Sequence, residues 1–541
     1  MRRYLILFTT FAAIVLGGNS GKAATDEAFA KLDGDVVVRL HFAGTAQIAA
    51  DPRATNMNQM FALPTWWDLR EKTMEKLATA PYRLIQKKIN AENTNDFSAL
   101  IRPLLEDLLS NESYLEVRGA TDQVPEMMLA VHLNDNQAKT WESYLSTILV
   151  SWTGMPTEKI QGDGYAGWEL KKHHDPNLTR FIRVGDWVLF GWGENELHLQ
   201  PGFLQRIKAS KRPAEAAKDT WLDALVDWPA INTNHPITLP IPLPANLPKL
   251  HLVVEGRTNY IRPKLTMLFP QPLNLKLDPW KIPATYIHNP IVSFTAVRGI
   301  EPWLAQIPEV KVLHPNPVPN QLIFWSMSDA PFESAVATPM PGASKYLAEL
   351  SPLIISNLNT TIADWPMASH ATWTNNRVRV NMPFVSPFIG AITEPAGDFL
   401  IGELFPIVPR TNAAPLPLDL MREIGSKPNL VLYSWEINAE RISQWEALNQ
   451  VRLLASAKYG PTRNSPGNRW FQSAKTNLTF CGSEITLTAP NELTLIRNSP
   501  LGLSGFELMV LDFWVDAPNF PLGTGYARPA NAPTRPPISQ H

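Results

Sequence analysis

The chain of 541 residues has one cysteine, Cys481, so neither an intramolecular disulfide nor a cysteine-based metal site can form within it. Neither sign of charge dominates: the formal net charge is −2, which offers no basic footprint for nucleic acid. After Leu5–Leu16 no second long apolar run occurs, which argues against a membrane-spanning helix in the rest of the chain. Phosphate loops of the G-x-x-x-x-G-K-S/T type are missing, the only Gly-Lys pair being Gly21-Lys22. There is likewise no H-E-x-x-H, no calcium loop and no C-x-x-C. Gly502-Leu503-Ser504-Gly505 comes nearest to a hydrolase elbow, but its last glycine falls one residue too early for G-x-S-x-G. No catalytic residue, metal ligand or cofactor is assigned from these patterns.

Proline, by contrast, is abundant. Its 49 residues are about twice the usual share, which predicts short elements, many turns and few long helices. At the N-terminus, Arg2-Arg3, the apolar Leu5–Leu16 and the small-x-small Gly21-Lys22-Ala23 together predict a secretory signal peptide, residues 1–23, cleaved near Ala23. Its removal takes away Arg2, Arg3 and Lys22 and no acid, leaving a formal charge of −5. The expected location is therefore the periplasm or the exterior, with a partner of the envelope or surface in view.

Internal similarity gives the organisation. The segment from Pro125 and that from Pro428 each run through an apolar strand, turn at asparagine and enter a helix bearing a Trp-Glu pair, Trp141-Glu142 or Trp445-Glu446. In the first, Ala138, Trp141, Tyr144, Leu145, Ile148, Leu149 and Trp152 form one helical stripe, with Asn134 or Asp135 able to cap its start and Gly154 its end. Ile442, Trp445, Leu448 and Val451 repeat the stripe in the second. Hairpins are expected at Gly185-Asp186 and Gly482-Ser483, and a third copy begins at Gln321 and turns at Asn375-Asn376. Strand, helix, hairpin is thus the predicted unit. It favours an α+β architecture, with antiparallel sheets covered on one face by helices. Two domains, 24–213 and 285–515, are expected around a Pro-rich bridging β segment, 214–284, with a disordered Pro-rich tail at 516–541.

This plan resembles that of uncharacterised exported bacterial proteins known only as domains of unknown function, over residues 110–213 and 428–490. The resemblance implies a bacterial envelope or extracellular setting and transfers no site.

Four sets of residues are weighed for chemistry. Gly191-Trp192-Gly193 lacks a third glycine, and Glu194 and Glu196 would repel a pyrophosphate, so turn chemistry is the better reading. His173-His174-Asp175 clusters possible ligands, but adjacent strand residues face opposite ways. The acids Asp329, Glu333, Glu301 and Glu436 lie near strand ends without forming a pattern. Trp66, Trp67, Trp187, Trp192, Trp365, Trp373 and Trp514 would matter to a carbohydrate only as an exposed row. The functional expectation is an exported, non-catalytic binding or structural module, with an apolar-ligand carrier and a secreted carbohydrate-active hydrolase as alternatives.

Overall fold

The hairpin at Gly185-Asp186 forms in the register its sequence predicts: Val184 pairs with Trp187, Ile182 with Leu189 and Phe181 with Phe190, while Gly185 takes a φ of 57°. Asn375 and Asn376, at φ 53° and 57°, make the second expected turn. Gly482-Ser483 does not turn. It lies inside a ten-residue strand paired on both sides, and the chain reverses at Pro490-Asn491, where proline presets φ. These observations come from a computed structural model that describes residues 29, 32, 35–86, 97–119, 124–171, 177–215, 219–234, 246–288, 290–307, 310–311, 315–328, 334–362, 370–381, 386–404, 418–455 and 465–522. The expected leader, His173-His174-Asp175, Asp329, Glu333, Trp365 and most of the expected tail lie outside the described residues.

The first ten strands are β1 (Val36–Phe42), β2 (Ser113–Arg118), β3 (Glu126–His132), β4 (Glu158–Gly162), β5 (Tyr165–Lys171), β6 (Asn177–Val184), β7 (Trp187–Glu194), β8 (Leu222–Asp227), β9 (Lys249–Arg257) and β10 (Tyr260–Leu268). The second ten are β11 (Ile291–Arg298), β12 (Gln321–Met327), β13 (Ser334–Pro339), β14 (Ala371–Thr374), β15 (Arg377–Val380), β16 (Phe388–Glu394), β17 (Gly397–Glu403), β18 (Leu430–Ile437), β19 (Phe480–Ala489) and β20 (Glu492–Asn498). All twenty belong to one sheet and every pairing is antiparallel.

Half of that sheet runs β4-β5-β6-β7-β3-β2-β1-β8-β9-β10. The other half runs β14-β15-β16-β17-β13-β12-β11-β18-β19-β20, which is the same pairing scheme advanced by ten strands. The halves join through corresponding strands, β10 and β20, from Lys264 opposite Ile496 to Leu268 opposite Glu492. The expected three-fold strand-helix-hairpin pattern is therefore not how the strands pair: β3, after Pro125, and β18, after Pro428, hold different places in their halves. β3 corresponds instead to β13, each followed by a helix and a four-strand meander that returns to its side.

Helices cover both faces, where the sequence led us to expect one. The helix Asp135–Thr153 begins in a capping box at Asn134, ends on left-handed Gly154, and buries Trp141 and Ile148 against Phe181 and Val188. The helix Leu199–Ser210 packs Phe203 and Ile207 on Ile182 and Leu189 from the opposite face. Alternate residues of β6 and β7 are apolar in both registers, so each face needs its own cover. In the second half, Ala343–Ile362 and Leu418–Gly425 do the same. Near the joint, Pro64–Gln86 packs against Pro466–Ala474, Gly505–Asp516 packs against Asn438–Ala455, and Met60, Ile442, Trp470 and Leu508 share one cluster.

Candidate functional site

In β1, Val-Val-Val-Arg-Leu-His-Phe, Arg39 and His41 fall on the face beneath Leu199–Ser210. Across the strands they meet Glu116 and Tyr114 of β2, and on the other side Leu225 and Asp223 of β8. A buried charge persists only with partners. Glu116 is accordingly flanked by Arg39 at 3.1 Å and by Arg206 of the covering helix at 2.9 Å. His41 Nε2 lies 3.0 Å from Glu112 Oε1, which also accepts from the Tyr114 hydroxyl at 3.0 Å, and the His41 and Tyr114 rings stack at 4.4 Å. On the neighbouring strands a second pair forms, His251 Nε2 to Asp223 Oδ1 at 2.9 Å.

Where β1 ends, these groups open into a cleft of about 810 Å³ lined by His41, Glu112, Asp51, Arg53, Arg212 and Asp219, with Gln47, Thr220 and Trp221 among the remaining wall. Two glycines shape it. Gly44 takes a φ of 85° and passes so near Ser110 and Asn111 that a Cβ would lie 2.5 Å from their backbone. Gly256 gives room to Trp221, whose ring a Cβ would meet at 2.0 Å. Trp221 Nε1 in turn donates to Asp51 at 2.9 Å, and Arg53 grips the same carboxylate through Nε and Nη2.

Two of the cleft carboxylates, Asp51 and Glu112, are held ionised. Arg53 beside Asp51 keeps its carboxyl well below the usual range, with Trp221 assisting against burial. Burial works to raise Glu112, but the His41 contact, Arg212 and Tyr114 outweigh it and the carboxyl sits below its ordinary value. Arg212 Nη2 is 4.0 Å from Glu112, and Asp219 is 3.6 Å from Arg53; both side chains are at least half exposed. His41 is 7% exposed, and its Nδ1 has no hydrogen-bond partner.

The candidates weighed in the sequence are scattered. Ser504 is a helix cap, its hydroxyl accepting from the Glu507 N–H. Glu436 accepts from the Gly505 N–H, and burial pushes its carboxyl up. Asp512, which the sequence did not single out, is a buried residue of the helix Gly505–Asp516, and burial and Asp516 push its carboxyl up. Cys481 is buried and its thiol is pushed up to about 12, which makes it inert filler. Gly191 and Gly193 lie within β7, facing Met128 and Glu126 of β3, so they form no loop. Trp187 is buried; the exposed tryptophans among the described residues, Trp67, Trp303 and Trp373, sit on three different elements and make no row. Glu301 opens the short helix Glu301–Leu304. None of these residues lines the cleft. Among the described residues no cluster of three or more His, Cys, Asp or Glu suits a metal ion, and no helix is long and apolar enough to cross a membrane.

No family model, curated protein or solved structure matches the chain. The cleft must be read from its own chemistry.

Proposed function

We propose that the chain is an exported, non-catalytic binding protein of a bacterial envelope or its exterior, with the long sheet as frame and the cleft beside His41 as binding site. The observation that carries this reading is the state of the cleft's acids. Asp51 and Glu112 are each tied to fixed donors and held below their ordinary range, so neither is poised to give up a proton at neutral pH. Paired, pre-oriented charges suit recognition. A retaining or inverting glycosidase would want one carboxyl raised to act as general acid. The charged side chains in the wall, Asp51, Arg53, Glu112, Arg212 and Asp219, also disfavour an apolar-ligand carrier, whose pocket is walled mainly by hydrophobic side chains. The recurring pairing scheme supports a ten-strand unit written twice, with the Pro-rich stretch before residue 284 supplying β8, β9 and β10, the last of them one side of the joint.

The test is an activity and binding comparison on the mature protein. We expect no turnover of a panel of p-nitrophenyl glycosides and esters, by the wild type or by Glu112→Gln, at any pH from 4 to 9. Turnover by the wild type that disappears in Glu112→Gln would sink the non-catalytic reading.

A further inference from the structure

The helix Gly505–Asp516 reads GFELMVLDFWVD, apolar on almost every side, and its only ionisable side chains are Glu507, Asp512 and Asp516. Glu507 closes the capping box at Ser504 and pairs with Arg497. Asp512 and Asp516, four residues apart, stand one turn from each other on the face turned toward the start of Pro466–Ala474. There the Gly467 N–H donates to Asp516 Oδ1 at 3.3 Å. A Cβ on Gly467 would lie 1.9 Å from Asp512 Oδ1 and 2.9 Å from Asp516 Oδ2, so glycine is what lets both carboxyls reach this backbone.

The charges gathered around the pair are mostly of its own sign. Asn438–Ala455 brings Glu446, whose Oε1 accepts from Asn468 Nδ2 at 2.7 Å and whose charge acts on Asp512. Arg469 of Pro466–Ala474 is paired with Asp68. From Pro64–Gln86 comes Lys76, whose Nζ donates to the Val515 carbonyl at 2.8 Å and interacts with the charge of Asp516. Asp512 itself is 9% exposed, and its buried Oδ1 has no hydrogen-bond partner to compensate a negative charge. The two aspartates are nevertheless hydrogen-bonded to each other, and because a carboxylate only accepts, that bond requires a proton. Burial, then Asp516 and Glu446, push the Asp512 carboxyl up to about 8, which places the proton there.

We propose that the Asp512–Asp516 pair is a proton-held latch: one shared proton keeps the helix Gly505–Asp516 seated on Pro466–Ala474 and Asn438–Ala455, and its loss to water unseats that helix. The latch is independent of what the cleft binds. Unseating the helix uncovers Leu508 and the cluster it shares with Met60, Ile442 and Trp470. The closed form holds a proton that the open form, with Asp512 in water, releases above the ordinary aspartate value of 3.8. Since the folded value is the raised one, the contribution of the latch is complete below pH 3.8 and is lost as pH rises through about 8. Between those limits opening is favoured about tenfold more with each pH unit, and above them it levels off.

Amide hydrogen exchange across residues 505–516, corrected for the intrinsic exchange rate, measures that opening. From pH 5 to 7 the wild type should lose about a hundredfold in protection there, and little more beyond about pH 8, while the helix Asp135–Thr153 keeps its protection. In Asp512→Asn, an uncharged isostere that still donates to Asp516, protection should stay level over the same range. Asp516→Asn removes the neighbouring anion and leaves the burial, so its loss of protection should level off at a lower pH than in the wild type. A wild-type profile as flat as that of Asp512→Asn, or a parallel loss in Asp135–Thr153, would overturn the latch. An Asp516→Asn profile that levels off at the wild-type pH would overturn it as well, and that comparison stands even if Asp512→Asn does not fold.

Discussion

Beneath the helix Leu199–Ser210, β1, β2 and β8 present Arg39, His41, Tyr114, Glu116 and Asp223. Beneath Leu418–Gly425, the corresponding strands β11, β12 and β18 present Phe294, Ala296, Ile323, Trp325 and Tyr433. The strand neighbours are the same and the chemistry is opposite. In the second half the space is filled by a continuous apolar core, in which Phe294 and Trp325 are almost wholly buried, and it ends at Arg298, which fills the corner against the Trp280 ring as a plug. In the first half burial is maintained by pairing charges, and the series of pairs leads to an open cleft. The difference teaches that one strand scheme tolerates either solution, provided each is internally complete: an apolar face must be packed and a charged one must be neutralised.

Four changes would break or sharpen that contrast. The largest effect is expected where packing alone holds the face: Trp325→Ala should cost about 3–5 kcal/mol, read from the shift in denaturant midpoint. Arg298→Ala comes next. It strands the carbonyls of Leu430, Asp278 and Pro428 and should cost about 3 kcal/mol in the same measurement, whereas a loss under about 0.5 kcal/mol would mean that the plug is ornamental. In the charged half, Glu116→Gln leaves Arg39 and Arg206 without their anion. Because both guanidiniums remain partly wet, we expect only about 1–2 kcal/mol, less than Trp325→Ala by the same assay. The smallest effect is a pH dependence. Glu112 has a folded-state pKa below its unfolded one, so its contribution is complete above the ordinary glutamate value and is lost as pH falls through the folded value. Stability of Glu112→Gln should therefore decline less steeply than that of the wild type on acidification below about pH 4.5, as followed by thermal melts. Identical acid limbs would show that the His41–Glu112 pair does not couple to folding.

What the sequence disclosed follows the reach of its patterns. The Gly185-Asp186 hairpin and the helix Asp135–Thr153 could be read because cross-strand pairs, caps and a helical stripe are local signals, present within a few residues. The turn at Gly482 was misplaced since glycine marks turns and strand interiors alike, and only the partners Trp435 and Asn498 decide between them. The order of the sheet lies beyond any local signal, because β10 pairs with β20 across nine intervening strands. The cleft was missed for a related reason. Arg39 and His41 alternate with apolar neighbours in β1, which reads as a solvent face, and their partners Glu112, Glu116 and Arg206 arrive from the residue before β2, from β2 and from a helix well downstream. The one available signal was chemical: a histidine and an arginine in a strand whose flanking segments could cover both of its faces.

The joint between β10 and β20 brings like edge to like edge, which is an isologous contact. Such a contact consumes itself: once made, neither half has that edge left to offer. Had β10 met the opposite margin of the other half, each addition would have presented a fresh edge of the same kind, and the sheet could have grown without limit. Among the described residues the sheet instead ends at β4, which carries Glu158 and Lys159, and at the four-residue β14, a charged end and a short one, both of the kind that discourages further strand addition. The symmetry of the joint is thus what makes a twenty-stranded sheet a finite molecule.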